Sequence, residues 1–360
     1  MVRGGPTDRF VARGPRRSSG FAPLVNWSIV LLARNEEDTI TGSLEAVACA
    51  ADGRAACTVV LHGPGEAASA RVRAFAAKSP MPLSLYATAI DDRADAWNRY
   101  VYDVRPGAEI HFFVDARVRV VPDALLRLAR ALHADPSAHL ATSAIPSGNV
   151  SGEAGGGSKG RIASRRGRGA VGGLDENLYA LRNGFVEELV RRSLRLPFGL
   201  HRRDGLLGAM AMYDCEPERN TWRPERMALV DGRLYDEGSS GLWKMRPLQR
   251  RRRQKVLQAR GELENAAVGR IIYSGGFEAL PLDADRMLAE WLRSLAPGQL
   301  RQLQQGAWTS RAIAGLRDEP PPGERERALV HVMSNAAQRQ RRSADRPELA
   351  LGEFERRVGS

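Results

Sequence analysis

From Trp27 onward, short apolar runs alternate with stretches in which apolar positions recur three to four residues apart. Ser28-Ile-Val-Leu-Leu32 predicts a buried strand, and Asn35-Glu-Glu-Asp38 supplies capping and acidic residues ahead of a helix with Ile40, Leu44 and Val47 on one face. Cys57 to Leu61 predicts a second strand, followed by the turn His62-Gly-Pro-Gly65 and a helix near Ala68 to Lys78. Leu83 to Ala87 predicts a third strand, Ala94 to Val104 a helix, and Ile110 to Val114 a fourth strand. Pro122 opens a further helix, at a first-turn position where proline is tolerated. Strands alternating with helices imply an α/β fold with a mostly parallel sheet covered on both faces. Helical patterns resume around Asn177 to Arg192 and Leu206 to Met212, and a less regular stretch runs to Met245. The cluster beginning at Gln249 opens a helix that continues to about Asn265. Beyond Leu282 the pattern is helical to about Gln340, with a break at Glu319-Pro-Pro-Pro-Gly323, and no internal repeat is present.

Composition adds boundaries to this pattern. Residues 147–173 hold ten Gly among Ser and Arg, a composition unable to bury enough apolar surface to order itself, so a mobile loop is expected there. The expected organisation is a flexible basic tail over 1–25, an α/β domain over 26–265, a helical extension over 266–345 and a tail over 346–360. No stretch reaches the roughly 18 consecutive apolar residues of a membrane span, and no apolar segment follows the N-terminal Arg residues as a secretory signal requires. Cys49, Cys57 and Cys215 lack metal-ligand spacing and leave one unpaired, so a reducing cytoplasm is the expected setting.

The 54 Lys+Arg exceed the 42 Asp+Glu by 12 among 360 residues, and locating that surplus changes its meaning. Residues 1–25 carry five Arg and one Asp, residues 148–173 five bases and one Glu, and residues 246–260 seven bases and no acid. These segments hold the whole excess, and their aromatic residues are limited to Phe10 and Phe21, too few to interleave with the bases, which argues against a nucleic-acid partner.

In open α/β sheets ligands bind outside the carboxyl ends of the strands. Two such ends carry charge here: Leu32-Ala-Arg-Asn-Glu-Glu37 after the first strand, and Asp115-Ala-Arg117 after the fourth. An Asp held rigidly at the sheet rim could bind a divalent cation that bridges phosphates. Each residue also has a plainer reading: Asp115 as a loop-starting residue, Glu36 as a first-turn acid, and Asp204 in Asp-Gly as a turn or helix cap.

Over roughly residues 26–260 the chain resembles the family-2 glycosyltransferases of GT-A fold. The resemblance rests on five segments in order: Ser28-Ile-Val-Leu-Leu-Ala-Arg-Asn-Glu-Glu37, Asp92-Arg-Ala-Asp-Ala-Trp-Asn98, Phe112-Phe-Val-Asp-Ala-Arg-Val118, Arg203-Asp-Gly-Leu-Leu207 and Gln249-Arg-Arg-Arg-Arg253. It implies a Rossmann-like catalytic domain over 26–265 with the C-terminal helices as an extension. It also implies transfer of a sugar from a nucleotide-diphosphate donor to an acceptor hydroxyl with inversion. Ala33, Arg34, Asn35 and Glu36 would seat the nucleotide, with Arg93 and Asn98 near the sugar. Asp115, aided by Arg117, would hold Mg²⁺ or Mn²⁺ on the diphosphate. Gln249, Arg252 and Arg253 would stabilise the leaving group, and Asp204 would be the base.

The departures are specific. His62-Gly63 stands where the family has an Asp that reads the base, Arg117 replaces the second Asp of Asp-x-Asp, Arg203 replaces the Glu before the base, and Arg253 replaces a Trp. A GT-A scaffold that binds nucleotide or sugar without transfer is therefore the alternative. The acceptor could be a glycan or a lipid-linked molecule met at the membrane surface, where the Arg clusters would touch anionic headgroups. The C-terminal helices could equally form a dimer interface.

Overall fold

The computed structural model describes residues 27–34, 36–63, 65–144, 173–237, 247–317, 322–323 and 327–335. Strands β1 (Trp27–Ala33), β2 (Ala55–His62), β3 (Leu83–Thr88) and β4 (Ile110–Asp115) pair in parallel in the order β3-β2-β1-β4. Every residue of β1 and of β4 is buried, which explains why both read as unbroken apolar runs. Helices α1 (Ile40–Ala51) and α2 (Glu66–Lys78) make the crossovers between β1, β2 and β3. Helix α3 (Arg93–Arg99) starts at Asp92, whose carboxylate accepts from the backbone N–H of Asp95 at 2.7 Å, and continues as a π turn over Tyr100–Val104.

After β4 come β5 (Val118–Val120), α4 (Ala124–Ala134) and β6 (Leu140–Ser143), then β7 (Leu178–Arg182), α5 (Asn183–Arg191) and α6 (Arg203–Met212). Strands β8 (Met227–Val230) and β9 (Tyr235–Glu237) follow, then α7 (Pro247–Gly275), α8 (Ala284–Ser294), α9 (Pro297–Gln304), α10 (Ala307–Ala314) and β10 (Val330–Ser334). The eight-stranded sheet has the order β10-β3-β2-β1-β4-β7-β6-β8, and β5 pairs with β9 apart from it. Among the described strands of this sheet, β7 and β10 run against the other six, so the sheet is mostly parallel and the fold is α/β, as expected.

Three readings need correction. Asn177 to Arg192 is not one helix: Leu178–Arg182 is a strand inserted antiparallel between β4 and β6, and the helix starts at Asn183. The helix opened near Gln249 runs past Asn265 to Gly275. The region beyond Leu282 is not helical throughout, because Val330–Ser334 joins the sheet antiparallel to β3. The expected mobile loop falls almost entirely on 145–172, outside the described residues.

Alternate residues of the central strands feed two cores. Ile29 and Leu31 pack with Ile40, Leu44 and Leu128 on one face, while Val30 and Leu32 pack with Trp97, Tyr100, Leu206 and Leu263 on the other. Helices α3, α6 and α7 thus share one face, above the carboxyl ends of β1 and β4. A buried carboxylate ties α7 to the segment that leads into α6. Glu264 on α7 is fully buried and accepts from the backbone N–H groups of His201 and Arg202, each at 2.9 Å. Arg260 neutralises it, with Nε 2.9 Å from Glu264 and Nη2 2.7 Å from Asp285 on α8. Gly199 has φ +75°, donates its N–H to Asp92 at 2.8 Å and offers its carbonyl to Arg260 at 3.1 Å. A Cβ there would meet Arg317 Nη2 at 2.9 Å, so the segment leading into α6 has little freedom.

Candidate active site

Strand β1 has β2 on one side and β4 on the other, so the chain reverses its direction of sheet growth between β1 and β4. The carboxyl ends of these two strands therefore flank a crevice of the kind in which α/β proteins bind ligands. Ala33 closes β1, and Asp115 closes β4 with only 1% of its surface exposed.

The Asp115 carboxylate receives four donors. Oδ1 accepts from the Arg117 backbone N–H at 2.8 Å and from Arg117 Nε at 2.9 Å, and Oδ2 accepts from Arg117 Nη2 at 2.8 Å and from Arg93 Nη1. Burial on its own would raise the pKa of this carboxyl, but the Arg93 and Arg117 guanidinium groups outweigh it and hold the group well below the usual carboxylate range. The hydrogen bonds to Asp115 push Arg117 further up in turn. A carboxylate offers about four lone-pair directions, and here all are taken. Among the described residues no group of three or more His, Cys, Asp or Glu could hold a metal ion. The Mg²⁺ or Mn²⁺ expected at Asp115 therefore does not fit this donor set: the place of the second carboxylate is filled by a cation that cannot ligate one.

Arg93 also lines a cavity on the α3/α6 face, together with Leu32, Glu176, Tyr179, Arg203 and Asp204. The cavity encloses about 380 Å³, counting its open mouth. Arg203 Nη2 reaches Glu176 at 2.8 Å, and Arg93 Nη2 approaches the Glu176 carbonyl at 3.5 Å. Burial opposes ionisation of Glu176, but Arg203 and Arg93 lower its pKa on balance. Asp204 sits in the first turn of α6 at the cavity wall, 18% exposed, with Arg202 Nε and Nη2 at 3.2 and 3.3 Å from its oxygens. Among the described residues these are the two hydrogen bonds Asp204 accepts, against four at Asp115, so about half of its lone-pair directions stay open. On the other side of α6 lies a second cavity of about 670 Å³, lined by Leu206, Tyr213, Trp222, Val268 and Tyr273 with Arg202 at its edge.

The remaining expected residues divide. Arg34 pairs with Asp91, and the Glu36 carboxylate accepts from the Arg34 backbone N–H, so both stay at the β1 end of the crevice. Asn35 lies outside the described residues. His62 Nδ1 is 3.4 Å from Asp91, and His62 and Arg34 together lower the Asp91 pKa against its burial. Asn98 does not present its amide to the cavity: Nδ2 donates to the Leu196 carbonyl at 2.8 Å and Oδ1 accepts the Leu196 N–H at 3.0 Å. Gln249, Arg252 and Arg253 are exposed near the start of α7 and line neither cavity. Sequence reasoning passed over Glu176, Asp91 and Glu264, which become site residues only through contacts across 27, 57 and 63 positions: Arg203 with Glu176, Arg34 with Asp91, and His201 with Glu264.

No family model and no curated protein matches the chain. Among solved structures, it is similar to glucosyl-3-phosphoglycerate synthase from Mycobacterium tuberculosis in complex with phosphoglyceric acid, at 19% identity and TM-score 0.47, covering 66% of this chain and 77% of that one. The same enzyme in complex with Mn²⁺, UDP-glucose and phosphoglyceric acid matches at 19% identity and TM-score 0.46, over 66% and 77%. A mannosyltransferase from Pyrobaculum calidifontis in complex with GDP-mannose and Mn²⁺ matches at 16% identity and TM-score 0.48, over 81% and 85%. Likeness at this level carries no inference about activity, which rests on the chain's own residues. No helix among the described residues is long and apolar enough to cross a membrane.

Proposed function

We propose that the protein is a GT-A glycosyltransferase, which moves a sugar from a nucleotide-diphosphate donor to an acceptor hydroxyl with inversion. One observation carries this reading: Asp204, a carboxylate with an open side, shares a cavity wall with Arg93 and Arg203 at the switch point of the sheet. A sugar held in that cavity would meet the Asp204 carboxylate and the guanidinium groups of Arg93 and Arg203 together. The Asp204 carboxylate takes the proton of the acceptor hydroxyl while that oxygen forms its bond to the anomeric carbon. The bond from that carbon to the diphosphate breaks, and its electron pair leaves with the nucleoside diphosphate. Arg93, Arg117 and Arg203 neutralise the charge that develops there. The nucleoside lies toward Ala33, Arg34, Glu36 and the His62–Asp91 pair, at the carboxyl ends of β1 and β2.

The saturated state of Asp115 favours a second reading, a scaffold that binds nucleotide-sugar without transfer. A mass-spectrometric screen of UDP-, GDP- and dTDP-sugars separates the two. Turnover of one donor, to released nucleoside diphosphate and glycosylated acceptor or free sugar, supports the transferase. Binding with no turnover of any donor supports the scaffold.

A further inference from the structure

We propose that the Arg93–Asp115–Arg117 clamp replaces the divalent cation implied for this site, so that donor binding and transfer proceed without Mg²⁺ or Mn²⁺. The inference rests on the glycosyl-transfer reading and concerns the diphosphate part of the same site.

The geometry runs against cation binding and in favour of direct anion binding. Asp115 has no lone pair to offer, because its two oxygens already accept from Arg93 and from three donors of Arg117. The arginines, by contrast, keep donors to offer. Arg117 uses Nε and Nη2 on Asp115, and its remaining N–H groups have no hydrogen-bond partner among the described residues. Its side chain is 38% exposed at the rim, whereas Asp115 beneath it is 1% exposed. The carboxylate thus acts as a buried anchor that fixes a planar, partly exposed guanidinium in one orientation and leaves its second edge unused. A guanidinium held this way matches two phosphate oxygens at once, which a freely rotating Lys would not.

Local charge agrees. Arg203 is matched by Glu176 and Arg202 by Asp204, whereas at the clamp itself two fixed cations, Arg93 and Arg117, face the single carboxylate of Asp115 before any ligand enters. A site in which two carboxylates await a metal starts with the opposite sign. Displacing Arg117 to make room for a cation would leave Asp115 buried with one partner, so the ion would have to compete with an internal ion pair already in place.

The test is calorimetric titration of the full chain with UDP-glucose, GDP-mannose and dTDP-glucose, in EDTA and again with Mn²⁺. For whichever donor binds, the expected Kd differs by less than about twofold between the two buffers. Titration with Mn²⁺ alone is expected to give no binding to the native chain. Arg117→Asp, checked for folding by thermal melt, is expected to bind Mn²⁺ and to need it for donor affinity. Loss of donor affinity by about tenfold or more in EDTA overturns the inference while leaving the transferase reading intact. A native chain that binds Mn²⁺ and releases it on Asp115→Asn overturns it as well. Failure of every donor in both buffers overturns the transferase reading and this inference together.

Discussion

Two carboxylates close to one crevice have opposite surroundings. Asp115 is buried and met by two arginines at four points, while Asp204, a first-turn helix residue, is partly exposed and met by one arginine at 3.2 and 3.3 Å. A carboxylate whose lone pairs are all engaged cannot accept a proton from a substrate without breaking its own pairs, whereas one with an open side can. The same chemical group is thereby fixed as an anchor in one place and left available as a base in the other.

The largest effect that tests this contrast is expected from Asp115→Asn. It leaves Arg93 and Arg117 facing a neutral amide in a buried position, and the expected loss is about 3–5 kcal/mol of stability by urea denaturation. Asp204→Asn is expected to change stability by less than about 1 kcal/mol, since its ion pair is partly solvated. In the same variant transfer is expected to fall by about 10²- to 10⁴-fold in a coupled nucleoside-diphosphate assay. If the two variants exchanged these phenotypes, anchor and base would have to be reassigned.

Acid separates the clamp from its surroundings with a smaller effect. Asp115 stays ionised well below the usual range, so the clamp persists in mild acid. His111 behaves differently. It is fully buried beside Tyr100 and Asn183, and burial lowers its pKa from 6.5 to about 4. Between those values the unfolded chain binds the proton and the folded chain does not, so stability falls as pH drops through that window, by up to about 3 kcal/mol. Urea melts at pH 7 and pH 5 measure the slope, and a flat profile would remove His111 from the account. The smallest effect is expected from Arg252→Ala. This exposed residue lies about 12 Å along α7 from Arg260 by helix rise, and its loss should change donor affinity by less than about twofold. An effect as large as that of Arg117→Ala would show that the basic run at the start of α7 reaches the donor.

The strands that frame the crevice were legible because full burial on both faces writes itself as an apolar run, as in β1 and β4. β7 was misread because Leu178, Leu181, Phe185 and Leu189 recur at helical spacing across a boundary, and only pairing with β4 and β6 makes the first part a strand. Asp115, Arg93 and Arg117 could be picked out because each follows a recognisable strand or opens a helix. Their joint geometry could not, since the Arg93 contact spans 22 positions and depends on how α3 sits over β4. Asn98 shows the converse: a residue chosen for its place in a motif holds the backbone of Leu196 instead.

The antiparallel strand β10 has a consequence for synthesis on the ribosome. Its Ser334 pairs with Ser84, 250 positions earlier, and Asn335 bonds Ala76, Met81 and Leu83 around the start of β3. Until that segment emerges, one edge of β3 has no partner, and at about 5–20 residues per second the delay is on the order of ten to fifty seconds. During that interval the nascent sheet presents an open edge to neighbouring chains. The last described strand is thus what covers the edge of β3, and a chain cut before Val330 would leave that edge open for its whole lifetime.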